Sequence, residues 1–365
     1  MNDTDKTFTP SEFSPQAAMP VQKPSFLKAQ GHTFIIAEAG VNHNGDLQLA
    51  KRLVDVAREA GADAVKFQTF KAERLASRSA PKAHYQLKTT PTSVSQFEML
   101  QELELTQEMH AELMAYCKNR GILFLSTPFD EESVDLLQDL GVSLFKIGSG
   151  EITNGPFLQY VARKGKPILL STGMSHLDEV EEAVKLICGA GCQELVLLHC
   201  VSDYPSSPRD SNLLAIQTMA STFGVPVGYS DHTPGIEVAL AAVALGACVV
   251  EKHLTLDKNL PGPDHGSSLE PQEFQALVRG IRVVEQALGD GIKKPVSSET
   301  ENRLMARRSL AASSNLPAGT VLRSNMLQAL RPATGISPTL VERVVGRRLK
   351  RSLVCGEFII WSDLE

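Results

Sequence analysis

Eight times between Thr33 and Thr255 a short apolar run is followed by a helical stretch, and this alternation leaves few architectures open to the chain. The strand-like runs are TFIIAEAG (33–40), ADAVKFQT (62–69), ILFLSTPF (122–129), SLFKIGSG (143–150), PILLSTG (167–173), ELVLLHCV (194–201), VPVGYSDH (225–232) and CVVEKHLT (248–255). They begin as near-continuous apolar segments, the pattern of parallel strands covered on both faces. Helical stretches fill the gaps at 47–60, 107–120, 177–188, 236–245 and 271–288. Gly61, Gly121, Gly141 and Gly246 stand at helix exits, where a missing Cβ permits left-handed backbone. Eight successive strand-then-helix units predict a closed (β/α)8 TIM barrel. A doubly wound open sheet would share the alternation, but no GxGxxG follows any of the strands. The gap at 70–121 holds more than one helix and reads as an insertion over the barrel mouth.

The flanks have a different texture. Residues 1–30 are polar and rich in Pro and Ser, and read as a flexible N-terminal extension before a catalytic barrel over 31–290. A polar linker follows at 291–302. Residues 303–365 carry short strand-like runs (SLAAS, LPAGTVL, VGRRL, GEFII) between Gly and Pro turns, and predict a small, mostly β domain. The whole chain has 36 basic and 42 acidic residues, so nucleic acid is not expected as a partner. Charge is uneven, however: 299–365 holds ten Lys and Arg against six Asp and Glu. A basic small domain is expected to dock on an acidic barrel, its own or a partner's. The longest apolar stretch, 238–250, is too short to span a bilayer and is broken by Gly246. No apolar signal segment precedes the barrel, and six cysteines without a CxxC pair read as free thiols. A soluble, cytoplasmic protein is the expectation.

Polar residues gather at the C-terminal ends of the strands: Glu38, Asn42, His43, Lys66, Gln68, Ser126, Thr127, Lys146, Ser149, Glu151, Ser171, Thr172, His199, Ser230, His232, Glu251 and His253. In a barrel these ends converge on one mouth, where active sites lie. His232 and His253 end neighbouring strands. They suit a divalent cation of the Mn2+, Zn2+ or Mg2+ type; capping histidines bonded to backbone are the other reading. Asp231 and Glu251 flank them and are expected to orient the rings. Lys66, Thr127, Lys146, Ser149, Ser202 and Ser230 form an ammonium and hydroxyl set suited to a phosphorylated small molecule, or to plain ion pairs with local carboxylates. His199 reads as a site residue or as a satisfied core residue. Neither GxSxG nor HExxH occurs, so serine hydrolase and zincin chemistries have no support.

The stretches IIAEAGVNHNGD (35–46), AVKFQTFKA (64–72), FLSTPFDEESVD (124–135), FKIGSGEITN (145–154), LLSTGM (169–174), LLHCVSDYP (197–205), GYSDHTPG (228–235) and VVEKHLTLDKNLPGPDH (249–265) resemble the sialic acid synthase family. That family includes N-acetylneuraminate synthases and the similar legionaminic acid synthases. The tail, with LRPATGIS (330–337), resembles the antifreeze-like SAF domain of these enzymes. The resemblance implies a transferase that joins phosphoenolpyruvate to an N-acyl amino sugar and water, releasing phosphate and a nine-carbon 2-keto acid. It implies a divalent metal, Mn2+ or Mg2+, and no organic cofactor. Lys66, Thr127, Lys146, Ser149, Ser202 and Ser230 fall on its phosphoenolpyruvate positions, and His232 and His253 on its metal ligands. Glu38, Gln68, Glu151, Tyr204 and Asp264 fall on positions that handle the sugar or assist catalysis. Arg331 falls on the arginine that the tail inserts into the partner's barrel, which implies a domain-swapped homodimer. N-acetylmannosamine is the first expected sugar; 2,4-diacetamido-2,4,6-trideoxymannose, giving legionaminic acid, is the alternative. GSGE at 148–151 argues against the pseudaminic acid branch.

Overall fold

A computed structural model of the protein describes residues 22, 24–90 and 93–365. It divides into two compact units, one ending at Gly289 and the other running from Asp290 to Glu365. In the first unit, eight parallel strands stand where the alternation predicts them. They are β1 (Phe34–Gly40), β2 (Ala64–Thr69), β3 (Leu123–Pro128), β4 (Phe145–Ile147), β5 (Ile168–Ser171), β6 (Leu195–Cys200), β7 (Val227–Asp231) and β8 (Val249–His253). The order is β3-β2-β1-β8-β7-β6-β5-β4, and β3 packs beside β4 to close the ring. This is the TIM barrel that the alternation predicted.

Side chains alternate along each strand, and the alternation sorts the core into two. Ile35, Ala37, Val65, Phe67, Leu170, Leu197 and Val250 point outward and pack with the surrounding helices. Phe34, Ile36, Ala64, Leu125, Leu169, Val196, Leu198 and Val249 form the second cluster, which fills the barrel interior. Along β1 the inward series continues past Phe34 and Ile36 to Glu38; along β8 it runs from Val249 to Glu251 and His253. The interior thus turns from apolar to charged toward the strand C-termini.

The outer helices include Leu47–Ala60, Gln107–Arg120, Leu177–Gly189, Glu237–Ala244 and Pro271–Leu288. Asp46 caps the first of these by accepting from the N–H groups of Gln48 and Leu49. Gly61, Gly121 and Gly141 end helices with φ of 87°, 69° and 84°. The insertion between β2 and β3 contains helices Ala72–Leu75, His84–Thr89 and Gln96–Glu102 before Gln107–Arg120. Val41, Phe70, Met99 and Leu103 form a small core beneath it.

The extension expected over 1–30 falls mainly outside the described residues. Its end, however, is ordered helix rather than loose chain. Ser25–Gln30 is a helix whose Leu27 is buried with the barrel-interior cluster, and Phe26 meets the Phe34 ring edge-on at 5.1 Å. Part of the expected linker is helical too, at Thr300–Ala306. The second unit pairs β9 (Ser309–Ala312) with β10 (Leu327–Leu330) as an antiparallel sheet. The other expected runs make single bridges, Leu316 to Leu353 and Val321 to Arg348 among them, because Pro317, Gly319 and Gly346 interrupt them. Among the described residues no helix is long and apolar enough to cross a membrane, and all six cysteines are free.

Candidate active site

At the C-terminal end of the barrel lies a cavity of about 340 Å3. Glu38, Lys66, Gln68, Thr127, Lys146, Ser149, Ser202, Tyr204, Ser230, His232, Glu251, His253 and Asp264 all line it. Residues spread over more than two hundred positions meet here because each strand delivers its last inward side chains to one ring.

Two lysines and two glutamates form the floor. Lys66 Nζ lies 2.8 Å from Glu38 Oε2 and 3.6 Å from Glu251 Oε1, and donates to Thr127 Oγ1 at 3.0 Å. Lys146 Nζ lies 3.8 Å from the same Glu251 oxygen, which also accepts from Ser230 Oγ at 3.2 Å. All four ionisable side chains are at most 5% exposed. Burial works against every charge here, and the partners decide the outcome. Burial raises the Glu38 carboxyl to about 7, although Lys66 pulls it down. For Glu251 burial also pushes upward, but Lys146 and Lys66 overcome it and hold the group below the usual carboxylate range. For Lys66 burial pushes downward, yet Glu251 and Glu38 leave its ammonium raised. Lys146, with weaker pairing, is lowered by burial. Asp264, across the pocket, is raised by burial to about 6.

The two imidazoles come together as the strand order requires, with ring centroids 5.5 Å apart. His232 Nδ1 donates to the Val201 carbonyl at 2.6 Å, which leaves its Nε2 with a free lone pair. His253 Nδ1 is buried without a hydrogen-bond partner. Burial lowers the pKa of both rings, that of His253 well below the usual value, so both are neutral nitrogen donors. Tyr204 packs on them, its ring centroid 4.2 Å from that of His232 and 5.7 Å from that of His253. Among the described residues no group of three or more His, Cys, Asp or Glu side chains is arranged around a metal position. Two neutral ring nitrogens are a donor set that a divalent cation accepts, and these two residues are the ones that would hold it.

Three strand-end residues lie elsewhere than expected. Asp231 makes no hydrogen bond to either ring: it sits on the outward face of β7 and pairs with Lys252. Glu251 makes its close contacts in the floor, with Lys66, Lys146 and Ser230, and acts on His232 only through its charge. Glu151 is on the turn Ser149–Glu151, where it accepts from Asn154 Nδ2 at 2.8 Å; its neighbours Ser149 and Gly150 line the cavity, and Glu151 itself does not. His199 points outward and donates to the Ser211 carbonyl at 2.7 Å, as a satisfied residue does. Arg331 is exposed in the second unit. The feature that sequence reasoning missed is the other wall of the cavity, formed by Val41, Met99, Leu100, Leu103 and Phe129. Its signal was available in the apolar spacing of FEMLQEL (97–103) within the insertion.

A buried polar pocket at this end of a TIM barrel, carrying paired ammonium and carboxylate groups, defines an enzyme, and comparison with known proteins agrees. The NeuB family model matches residues 53–293, and the SAF domain model matches 307–365. The N,N'-diacetyllegionaminic acid synthase of Campylobacter jejuni is 53% identical over 86% of this chain and 95% of its own length. The enzyme of the same name from Legionella pneumophila is 52% identical over 91% of this chain and 94% of its own. Among solved structures, the N-acetylneuraminic acid (sialic acid) synthetase of Leptospira borgpetersenii superposes with a TM-score of 0.67 at 38% identity, covering 74% of this chain and 90% of that one. The chain belongs to the NeuB family, and it is a transferase of the synthase type. The resemblance read from its motifs is thereby borne out.

Proposed function

We propose that this enzyme condenses phosphoenolpyruvate with 2,4-diacetamido-2,4,6-trideoxymannose to give N,N'-diacetyllegionaminic acid and phosphate. The observation that carries the reading is the two-sided cavity. One side offers ammonium and hydroxyl groups to a phosphate and a carboxylate; the other offers an apolar wall. A 6-deoxy sugar presents a methyl group where N-acetylmannosamine presents a hydroxymethyl, and its second acetamido group adds another methyl. Burying each against Met99, Leu103 and Phe129 favours the diacetamido sugar by about 0.8 kcal/mol per carbon. Two relatives that are 53% and 52% identical to this chain over the aligned residues carry the legionaminic name. The first expectation, N-acetylmannosamine, accordingly gives way to its alternative.

Lys66 and Lys146 neutralise the anionic donor, while Thr127, Ser149, Ser202 and Ser230 supply directed hydrogen bonds. Their fixed positions hold C3 of phosphoenolpyruvate toward the open-chain aldehyde of the sugar. His232 and His253 would hold Mn2+ or Mg2+, which when bound supplies Lewis-acid polarisation of that aldehyde. The C3 electron pair forms the new C–C bond, and the aldehyde oxygen takes up a proton. Positive charge develops at C2, and the nearby Glu251 carboxylate stabilises it. Water adds at C2 and loses a proton, and the C–O bond to phosphate then breaks, leaving the keto acid. Glu38, Gln68 and Asp264 face the sugar's hydroxyl groups. Glu38, with its pKa near neutrality, is the group suited to proton transfer during ring opening. Glu151 is assigned here to the turn that presents Ser149. Arg331 is assigned to the sugar's acyl group in a partner's barrel, within a cytoplasmic domain-swapped homodimer.

The test is phosphate release. It is expected only when phosphoenolpyruvate, a sugar and a divalent cation are all present, and to stop with EDTA and resume with Mn2+. His232→Ala and His253→Ala are each expected to abolish it while circular dichroism stays unchanged. Release that is indifferent to chelator and to both substitutions would contradict the metal assignment.

A further inference from the structure

Behind the two imidazoles lies an ion pair that the reaction above does not use. Asp231 and Lys252 are partners in the parallel register of β7 and β8. Alternation turns both away from the cavity, just as it turns Ser230, Glu251 and His253 into it. Lys252 Nζ donates to Asp231 Oδ2 at 2.6 Å and to the Thr233 carbonyl at 2.5 Å. Asp231 Oδ1 in turn accepts from the Thr233 N–H at 2.9 Å and from its hydroxyl at 2.7 Å. The pair is 1% and 0% exposed. One ammonium thus grips the residue before His232 and the residue after it, and its own backbone leads directly into His253.

A buried pair of this kind adds little net stability, because desolvation offsets most of the attraction. Apolar side chains would fill the same space between strands and helices. They would not tie the turn at Thr233, which carries His232 off the end of β7, to the neighbouring strand.

We propose that Lys252 and Asp231 are positioning residues: a buried clamp on the outer face of the barrel that sets the spacing of His232 and His253 and so their affinity for a divalent cation. The proposal rests on reading the two rings as metal ligands.

The experiment is titration of the purified full-length enzyme with Mn2+, following free Mn2+ by electron paramagnetic resonance, without substrates. Lys252→Met is expected to weaken binding about 10–100-fold, the usual effect of losing a group that orients metal ligands. That variant strands a buried carboxylate, so the decisive one is the double substitution Asp231→Asn with Lys252→Met, which removes both charges at similar volume. It is expected to keep the circular dichroism spectrum and to lose Mn2+ affinity to the same extent. Asp231→Asn alone, which keeps the bonds to Thr233, is expected at an intermediate affinity. A merely structural pair would lower the melting temperature and leave Mn2+ affinity alone. If wild-type binding disappears in His232→Ala but persists undiminished in the folded double variant, the clamp is overturned and the ring assignment stands. If wild-type binding survives His232→Ala, the ring assignment fails and the clamp falls with it.

Discussion

Glu38 is the pocket group most sensitive to pH near neutrality. Burial lifts its carboxyl to about 7 against the pull of Lys66. Only the carboxylate can accept a proton from a sugar hydroxyl, so rising pH fills the working form and falling pH empties it. On the acid side, kcat/KM for the sugar is expected to fall about tenfold per pH unit below that value. Glu38→Gln is expected to lower kcat at least about 100-fold and to abolish this limb. An unchanged limb in the variant would assign the titration elsewhere, with Asp264, raised by burial to about 6, as the next group to replace. At this scale the sequence was readable as far as strand parity was applied. Glu251 and His253 share a face by their spacing, and both enter the cavity. The same rule, carried to Asp231, Lys252 and His199, separates them from Ser230, His232 and Cys200 and sends them outward. Glu151 lies beyond β4 on a turn, where no two-residue period operates, so its direction was not legible.

The strands, and the helices around them, were legible for a common reason: parallel strands buried on both faces leave continuous apolar runs, and several of the helices between them end at glycines such as Gly61, Gly121 and Gly141. Elements too short to show a period were not. The helix Ser25–Gln30 is one such element, with Leu27 in the barrel-interior cluster. Leu27→Ala is expected to cost about 2–5 kcal/mol in denaturant unfolding while leaving KM unchanged, because the cluster lies at the end of the interior away from the cavity. In the second unit β10 reads LQAL, without a β-branched residue, and its partners are interrupted by Gly and Pro. The end of β5 shows what a loop must supply. A Cβ on Gly173 would lie 2.3 Å from Ser202 Oγ and 3.0 Å from both Ser149 Oγ and Cys200 Sγ. The Gly173 N–H donates to Ser149 Oγ at 2.9 Å. Gly173→Ala is therefore expected to displace together two of the hydroxyls proposed to bind phosphoenolpyruvate. A loss of about 100-fold in kcat/KM for that substrate, at a near-normal melting temperature, would be seen in steady-state kinetics. Unaltered kinetics would mean that these hydroxyls do not touch the donor.

On the scale of the whole molecule, charge separates the two units: the basic tail follows a barrel that is acidic in sum. If Arg331 holds the sugar's acyl group, Arg331→Ala is expected to raise KM for the sugar about tenfold or more while that for phosphoenolpyruvate stays level, since a group that only binds contributes little to kcat. Equal effects on both substrates would point to a general defect of assembly. The barrel was legible from one alternation repeated eight times. The identity of the sugar was not, because it depends on which residues of the 70–121 insertion face the cavity, a matter of packing rather than of period. The sugar is decided by a competition in one vessel: phosphoenolpyruvate, Mn2+, and equal amounts of N-acetylmannosamine and 2,4-diacetamido-2,4,6-trideoxymannose, with products identified by mass spectrometry. The two-sided cavity predicts that N,N'-diacetyllegionaminic acid dominates from the first turnovers. A preponderance of N-acetylneuraminate, or phosphate release without either nine-carbon acid, would contradict it.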